Sequence, residues 1–413
     1  MKTLALRELL MPGRKNSVLS YLSSVAIFLM FSFLRSPEPL MTPRFWAEEG
    51  TIYYVNLQNA GIMGSIFLVI NANLQIITNI IIKIATLAPE RYAPAVTTYI
   101  SVTVSCIIPL LIIRIAKENE ISDIGGVLSV SAFSFLHMSY ELFGTATNIQ
   151  WYCGVIVYLF LFLKIDSKKF LFPLIAFSFL LGLSGVPAVI AAPAFFVIGL
   201  LRKSNNHVIL GLVFLTCAII QTVIVVNFGT TNRIYPRDPG VLLLPTILQS
   251  VYGFWLPAEL TTALGKAASS LALRFSVVAI GAFIVFAIVG ALNIKNRGLF
   301  GFAILYGFGI AVIQTFAALG NPADNLGGYG GGRYYLISST ALIVALLLSI
   351  NTRKCFYVYA MTLSVAVQFV YSYSPIWDSF KHGPNWSNEL LKCTSTPCHI
   401  GVWPDGWKMD LYR

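Results

Sequence analysis

Charge is scarce in this sequence. Only 11% of its 413 residues are Asp, Glu, Lys or Arg, against about 25% in a soluble domain. That shortage, with a mean hydropathy of +0.76, excludes a chain solvated mainly by water and makes lipid the principal solvent. Acids are scarcer still, 17 against 28 basic residues. Histidine occurs 4 times, and no HExxH, GxSxG or Walker pattern supports a hydrolase or an ATPase. The apolar runs lack the alternation of a membrane barrel. Cysteines are few as well: Cys106, Cys153, Cys217 and Cys355 are scattered in or near apolar runs as unpaired packing residues.

What is present is a series of continuous apolar runs, several reaching or approaching the roughly 20 residues that cross a bilayer. Lipid offers the backbone no hydrogen-bond partner, so these runs are expected to be helices. The expected fold is all-α, a polytopic transmembrane helical bundle. The net charge of +11 does not point to nucleic acid, because the basic residues sit in pairs at the ends of apolar runs and mark the cytoplasmic side. Lys2, Arg7, Arg14 and Lys15 precede the run 18–34 and keep the N-terminus inside. Arg35-Ser36-Pro37 is no small-residue cleavage site, so that run reads as an uncleaved helix. Inside markers recur at Arg114 and Lys117, at Lys164, Lys168 and Lys169, at Arg202-Lys203, at Lys295 and Arg297, and at Arg353-Lys354.

The expected spans are 18–34, 92–115, 123–140, 150–164, 208–228, 272–293, 299–319, 334–350 and 355–372. Segment 170–201 starts and ends inside and breaks at Gly182, Gly185 and Pro187; it is a re-entrant hairpin or two short spans. About nine spans plus the hairpin, or about eleven spans, leave the N-terminus in the cytoplasm and the C-terminus outside. Residues 1–372 then form a membrane domain with outer loops 35–91, 229–271 and 320–333, and residues 373–413 form a small outer tail. The stretch 74–87, interrupted by Asn79 and Lys83, is expected to lie along the interface.

Tryptophan has an outward bias. Trp46, Trp151, Trp255, Trp377, Trp386, Trp403 and Trp407 all fall in outer loops, outer span ends or the tail. They supply either a recognition surface, with stacking on sugar rings as one use, or the core of a small tail domain. Cys393 and Cys398 enclose Thr-Ser-Thr-Pro in that tail, where an oxidising compartment allows a disulfide. With His399 they do not make a zinc ligand set.

The outer acids reduce to Glu38, Glu48, Glu49, Glu90, Glu141, Asp238, Glu259, Asp324 and those of the tail. Pro43-Arg-Phe-Trp-Ala-Glu-Glu-Gly50 stands out among them. Arg44, Phe45 and Trp46 suit an interface anchor, with Thr51 to Leu57 continuing as a short surface helix. Glu48 and Glu49 on a helix point about 100° apart, so one can face a cavity while the other pairs or caps. A carboxylate near a membrane surface, flanked by aromatics, suits a general base of raised pKa; the plainer reading is a solvated helix start. A second candidate is the glycine-rich stretch from Asn321 into Arg333-Tyr334-Tyr335. An arginine at headgroup depth suits bidentate phosphate binding, or plain snorkelling. A third is loop 229–271, with Arg233, Tyr235, Arg237, Asp238, Trp255 and Lys266, and with Arg274 following at the start of the next span. It fits an anionic lipid-linked ligand, or simple membrane contact.

These features together resemble the GT-C type membrane glycosyltransferases that use lipid phosphosugars, and more narrowly the phage-type, serotype-converting O-antigen glucosyltransferases of enteric bacteria. The resemblance rests on Ala47-Glu48-Glu49-Gly50 in the first outer loop, on an amphipathic stretch at 72–90, and on a tail carrying Pro384-Asn385-Trp386 and Trp403-Pro404-Asp405-Gly406-Trp407. The family pattern is Ala-Glu-Asp-Gly; Glu49 replaces Asp, which leaves open which acid is catalytic. The resemblance implies a sugar, glucose in the nearest pattern, carried on undecaprenyl phosphate at the periplasmic face of the bacterial inner membrane. It implies transfer with inversion to a lipid-linked O-antigen glycan. Glu48 or Glu49 would be the base; Arg333, with Arg233, Arg237 or Lys266, would hold the donor phosphate; Arg44, Trp46, Tyr334 and Trp255 would contact substrate. No nucleotide is needed, and a divalent metal is compatible but not demanded. The partners are membrane lipid and the two lipid-linked substrates, not nucleic acid. The main rival, a transporter or flippase of a lipid-linked sugar, would want ionisable residues deep in the spans; apart from Arg274 these are sparse. An acyltransferase would want a buried histidine, and only His137 qualifies.

Overall fold

The structure, a computed structural model, describes residues 17–136, 141–165, 171–229, 239–268, 270–292, 297–318, 331–350, 354–371, 382–394 and 397–411. The chain is an all-helical membrane protein. Among the described residues, six helices are long and apolar enough to cross a bilayer: Val18–Arg35, Glu90–Glu118, Asn205–Phe228, Leu271–Gly290, Arg297–Phe316 and Gly332–Ser349.

In chain order, α1 (Ser17–Arg35) leads into the first loop. The loop holds a π-helical turn at Glu49–Tyr54 and a small hairpin, β1 (Val69–Ile70) with β2 (Asn73–Leu74). The helices α2 (Ile76–Thr86), α3 (Ala93–Ser105) and α4 (Ile107–Glu118) follow. Next come α5 (Asp123–Phe135), α6 (Ile149–Phe160), α7 (Leu171–Gly182), α8 (Ala192–Arg202) and α9 (Asn205–Phe228). The second half holds α10 (Pro239–Ile247), α11 (Ala258–Ala267), α12 (Leu271–Gly290), α13 (Arg297–Ala318), α14 (Leu336–Ser349) and α15 (Lys354–Tyr371). The tail has α16 (Trp386–Leu391) and the antiparallel hairpin β3 (Cys398–Val402) with β4 (Trp407–Leu411), in which Val402 faces Trp407.

The axis of the bundle is α14. All 14 of its residues are buried, as expected of a helix apolar on every side. It packs against α5, α6, α12, α13 and α15. Small side chains allow the close approach: a Cβ on Gly307 of α13 would lie 2.8 Å from the Ala341 methyl. The hydroxyls of α14 do not break this burial, because they turn back on the helix; Thr340 donates to the Leu336 carbonyl at 2.7 Å and Ser338 to that of Tyr335 at 2.9 Å. Its neighbour α6 is nearly as enclosed, with every residue buried except Gln150.

Four expectations need correction. Spans 123–140 and 150–164 are shorter helices, about 20 Å and about 18 Å long. The Ser122 side chain caps α5, and the chain leaves the helix at Leu136 with ψ 120. Residues 137–140, His137 included, lie outside the described residues. Within the expected outer loop 229–271, residues 239–255 and 258–267 are helical, and the apolar residues Leu244, Leu248, Val251 and Phe254 are buried in the bundle. The stretch 74–87 does not turn its polar residues outward. Lys83 and Asn79 are buried because the returning chain 57–68 offers them carbonyls: Lys83 Nζ donates to Leu57 and Ala60 at 2.9 and 2.7 Å, and Asn79 Nδ2 to Ile66 and Leu68 at 3.1 and 2.9 Å. Thr51 to Leu57 is likewise no surface helix, since Tyr53, Tyr54 and Leu57 are all buried.

The lysine therefore holds the first loop together. Lys83→Met keeps the aliphatic stem and orphans two carbonyls, so we expect a loss of about 2 kcal/mol in detergent unfolding. An unchanged midpoint would show that the ammonium is solvated instead.

Candidate active site

The first loop is clamped by the tail. Trp403 donates its amide to the Phe45 carbonyl at 3.0 Å, and Ala47 returns its own amide to the Trp403 carbonyl. This makes a parallel bridge between Trp46 and Trp403. The Arg44 guanidinium lies 3.5 Å above the Trp403 ring, a cation–π contact. Val402 and Met409 press on Gly50, where a Cβ would come within 3.0 Å of Val402 and 3.2 Å of Met409. Trp386 meets Phe45 edge-on at 5.0 Å and donates its indole N–H to the Glu90 carbonyl at 3.0 Å. A disulfide joins Cys393 and Cys398, with Cα atoms 5.4 Å apart, where the chain enters β3.

This docking corrects the reading of Arg44, Phe45 and Trp46 as an interface anchor. All three are buried, because the tail covers them. Burial lowers the Arg44 pKa to about 10, while Glu38 and Glu49 pull it up.

Beneath the clamp the backbone turns sharply. Ala47 takes φ +37, a left-handed conformation unfavourable for a residue with a Cβ. The π-helical turn starts two residues later. Together these send the two acids in different directions. Glu49 is fully buried, and neither carboxyl oxygen has a hydrogen-bond partner of normal length. The Thr97 hydroxyl and the Trp46 and Ala146 backbone lie near enough to favour its ionised form. Yet that hydroxyl donates its hydrogen to Pro94, at 3.0 Å. Burial dominates and raises the Glu49 pKa from its ordinary 4.5 to about 7. Glu48 is half-buried and faces charge: it acts electrostatically on Glu141, Arg333 and the buried Tyr53 phenol.

The other half of the cluster stands on α14. A single 3-10 turn, Gly332–Tyr335, caps that helix and carries Arg333. Arg333 forms an ion pair with Glu141, and their side chains keep 30% and 21% of their exposure, enough for a ligand to reach them. Burial raises the Glu141 pKa; the Arg333 guanidinium opposes the shift and the Glu48 carboxylate adds to it. The Glu141 backbone is fixed too, its carbonyl accepting from Asn148 Nδ2 at 3.0 Å and Thr145 Oγ1 at 3.2 Å. Tyr334, next to Arg333, is buried with its ring edge-on to Trp151 at 4.9 Å.

No family model, curated protein or solved structure matches the chain. The site is therefore read from its own geometry.

Glu48 and Arg333 come together and Glu49 lies beneath them, cut off from solvent. Glu141 completes the cluster. It is one outer acid among several in the sequence, and no local motif marks it; its pairing depends on α6 and α14 being neighbours. Trp255 is directed elsewhere, its indole N–H donating to the Ala360 carbonyl of α15 at 3.2 Å. Lys266 is exposed in the last turn of α11, and no described contact joins it to Arg333. Arg233, Arg237, Asp324 and Trp377 lie outside the described residues. Among the described residues, no three His, Cys, Asp or Glu side chains gather as a metal ligand set.

Arg333 thus pairs with one carboxylate, Glu141, at a partly open position, with Glu48 near enough to act electrostatically on both. An anion arriving there can take the place of Glu141 on the guanidinium.

The buried acid gives a pH signature. A carboxyl whose folded pKa is raised contributes stability that is fully present below its unfolded pKa and lost as pH rises through the folded one. For Glu49 that window runs from 4.5 to about 7, and the loss is on the order of 3 kcal/mol at most. We expect Glu49→Gln to remove most of the decline in unfolding temperature between pH 5 and pH 7.5 (working values, roughly bracketing the titration). A variant with the wild-type slope would mean that the carboxyl is not buried.

Proposed function

We propose that the protein is an inverting glycosyltransferase that moves a sugar from a polyprenyl phosphate to a hydroxyl of a lipid-linked glycan. The observation that carries this reading is the partly exposed ion pair of Arg333 with Glu141, with the Glu48 side chain near enough to act on both electrostatically. It joins the acidic motif of the first loop to the one arginine that the sequence singled out for phosphate on a span end.

In this reading Glu48 is the general base. It takes the proton of the acceptor hydroxyl as the oxygen attacks the anomeric carbon. The bond from that carbon to the phosphate oxygen breaks, and the electron pair leaves with the polyprenyl phosphate. The leaving phosphate gains one negative charge, and Arg333 holds it more tightly in the transition state than before. A bidentate guanidinium fits that oxyanion. Glu141 keeps the guanidinium aimed at the cluster until the phosphate displaces it. Glu49 serves as a neutral buried acid that shapes the turn beneath Glu48.

The proposed topology has the N-terminus inside, the cluster and the tail at the periplasmic face, and the bacterial inner membrane as the location. The charge pairs at the inner ends of the apolar runs support it. Segment 170–201 fits a re-entrant hairpin. Its helices α7 and α8 are about 18 Å and about 17 Å long, short of a bilayer, and are separated by Gly185 at φ +137 and by Pro187.

The test is transfer of labelled sugar from polyprenyl phosphate in membranes. We expect Glu48→Gln to lose about 100-fold or more and Glu49→Gln to stay within about tenfold. Full activity of Glu48→Gln would reject Glu48 as the base. Arg333→Lys keeps the charge but loses the fork, and should fall strongly in kcat. A reporter fused to the C-terminus should be active only outside the cytoplasm; a cytoplasmic signal would overturn the topology.

A further inference from the structure

Just above α6, beside Tyr334 and Arg333, three polar atoms are kept buried without a hydrogen-bond partner among the described residues: Thr147 Oγ1, Trp151 Nε1 and Asn73 Oδ1. Thr147 and Trp151 are each only 7% exposed. Thr147 lies in the turn that leads into α6 and Trp151 in the first turn of that helix. Asn73 is tied to them through Gln150. Its Nδ2 donates to Gln150 Oε1 at 3.0 Å, and Gln150 Nε2 donates to the Thr147 carbonyl at 3.5 Å.

Buried polar atoms are paired in the great majority of cases, and an unpaired one costs stability. Three of them gathered around the start of α6 need a reason. The set is mixed: an indole that only donates, an amide oxygen that only accepts, and a hydroxyl that does both. A phosphate wants donors alone, and a polyprenyl chain wants neither. A pyranose wants this mixture, because each of its hydroxyls both donates and accepts. It also wants an aromatic wall, which Trp151 and Tyr334 form with rings 4.9 Å apart.

We propose that Asn73, Thr147 and Trp151 form the subsite for the hydroxyl groups of the donor sugar, whose phosphate lies on Arg333. The proposal rests on the glycosyl-transfer reading, and it adds the residues that choose the sugar. A site built to hydrogen-bond a hydroxyl rejects an analogue that lacks it far more strongly than an apolar pocket rejects an extra methylene.

The test uses Thr147→Val, which keeps the shape and removes the hydroxyl, and Trp151→Phe, which removes the indole N–H. In detergent without ligand, Thr147→Val should unfold at the wild-type temperature or above it, since it removes an unpaired polar atom. Next, thermal shifts are measured with polyprenyl-phosphate glucose and with bare polyprenyl phosphate. The sugar-bearing lipid should stabilise the wild type more than the bare lipid does, and both variants should erase that difference while keeping the shift caused by bare lipid. In turnover, each variant should raise the donor KM by about tenfold or more, with a smaller change in kcat. Equal shifts for the two lipids in the wild type, or variants that keep the difference, would overturn the subsite whatever the activity. A sugar-dependent shift that the variants erase, in a protein that transfers no sugar, would keep the subsite and remove the enzyme reading.

Discussion

Ala47 adopts a backbone conformation that costs an alanine about 1 kcal/mol or more, and it does so because Trp403 exchanges backbone hydrogen bonds with the segment on either side of Trp46. The rest of the outer face follows from that exchange. It pins the residue before Glu48, and the π-helical turn then carries Glu49 into the interior. The same strand lays Trp403 under Arg44 and packs Val402 against Gly50. The tail is therefore part of the site's framework, although no described contact joins it to Glu141 or Arg333. Its aromatic residues serve two purposes at once: Trp386 and Trp403 form the core of the tail, and they anchor that core on the first loop.

The clamp positions one side of the cluster; the buried helices α14 and α6 position the other. Arg333 rides on a helix with no exposed residue, and Trp151 opens a helix with almost none. Side chains at the ends of such helices have little freedom to relax. The proposed stabilisation of a leaving phosphate would draw on that rigidity, because dipoles and charges that need not reorganise act at full strength. The division of labour between the two acids has the same origin. Burial holds the Glu49 carboxyl well above the usual carboxylate range, whereas its neighbour Glu48 is half-exposed on the side of the Arg333 guanidinium.

Much of the fold could be read from the sequence, because lipid makes hydropathy the governing term: α1, α9, α12, α13 and α15 lie where the apolar runs are. The shorter elements were harder to read. Residues 239–255 fall within the stretch read as an outer loop, yet an apolar helix of that length is stable once its faces are buried against α12 and α14. Lys83 and Asn79 broke an apolar run and so suggested an interface, but a charge can also be satisfied by carbonyls from a neighbouring stretch of chain. At the site, neighbouring acids and an arginine at a span end were visible locally. Glu141 was not, because its importance comes from a contact between helices far apart in the chain. The burial of Glu49 was not legible either, because it is imposed by Thr97, Ala146 and the tail together.

The claim at the centre is that Glu48 and Arg333 act on the same reacting group. A double-mutant cycle tests it most directly: Glu48→Gln, Arg333→Gln and the combination, each measured as kcat/KM for transfer from polyprenyl-phosphate sugar. Partners in one transition state are strongly non-additive, so the double variant should be little worse than the poorer single one. Losses that simply add would place the two residues in separate roles and contradict the account.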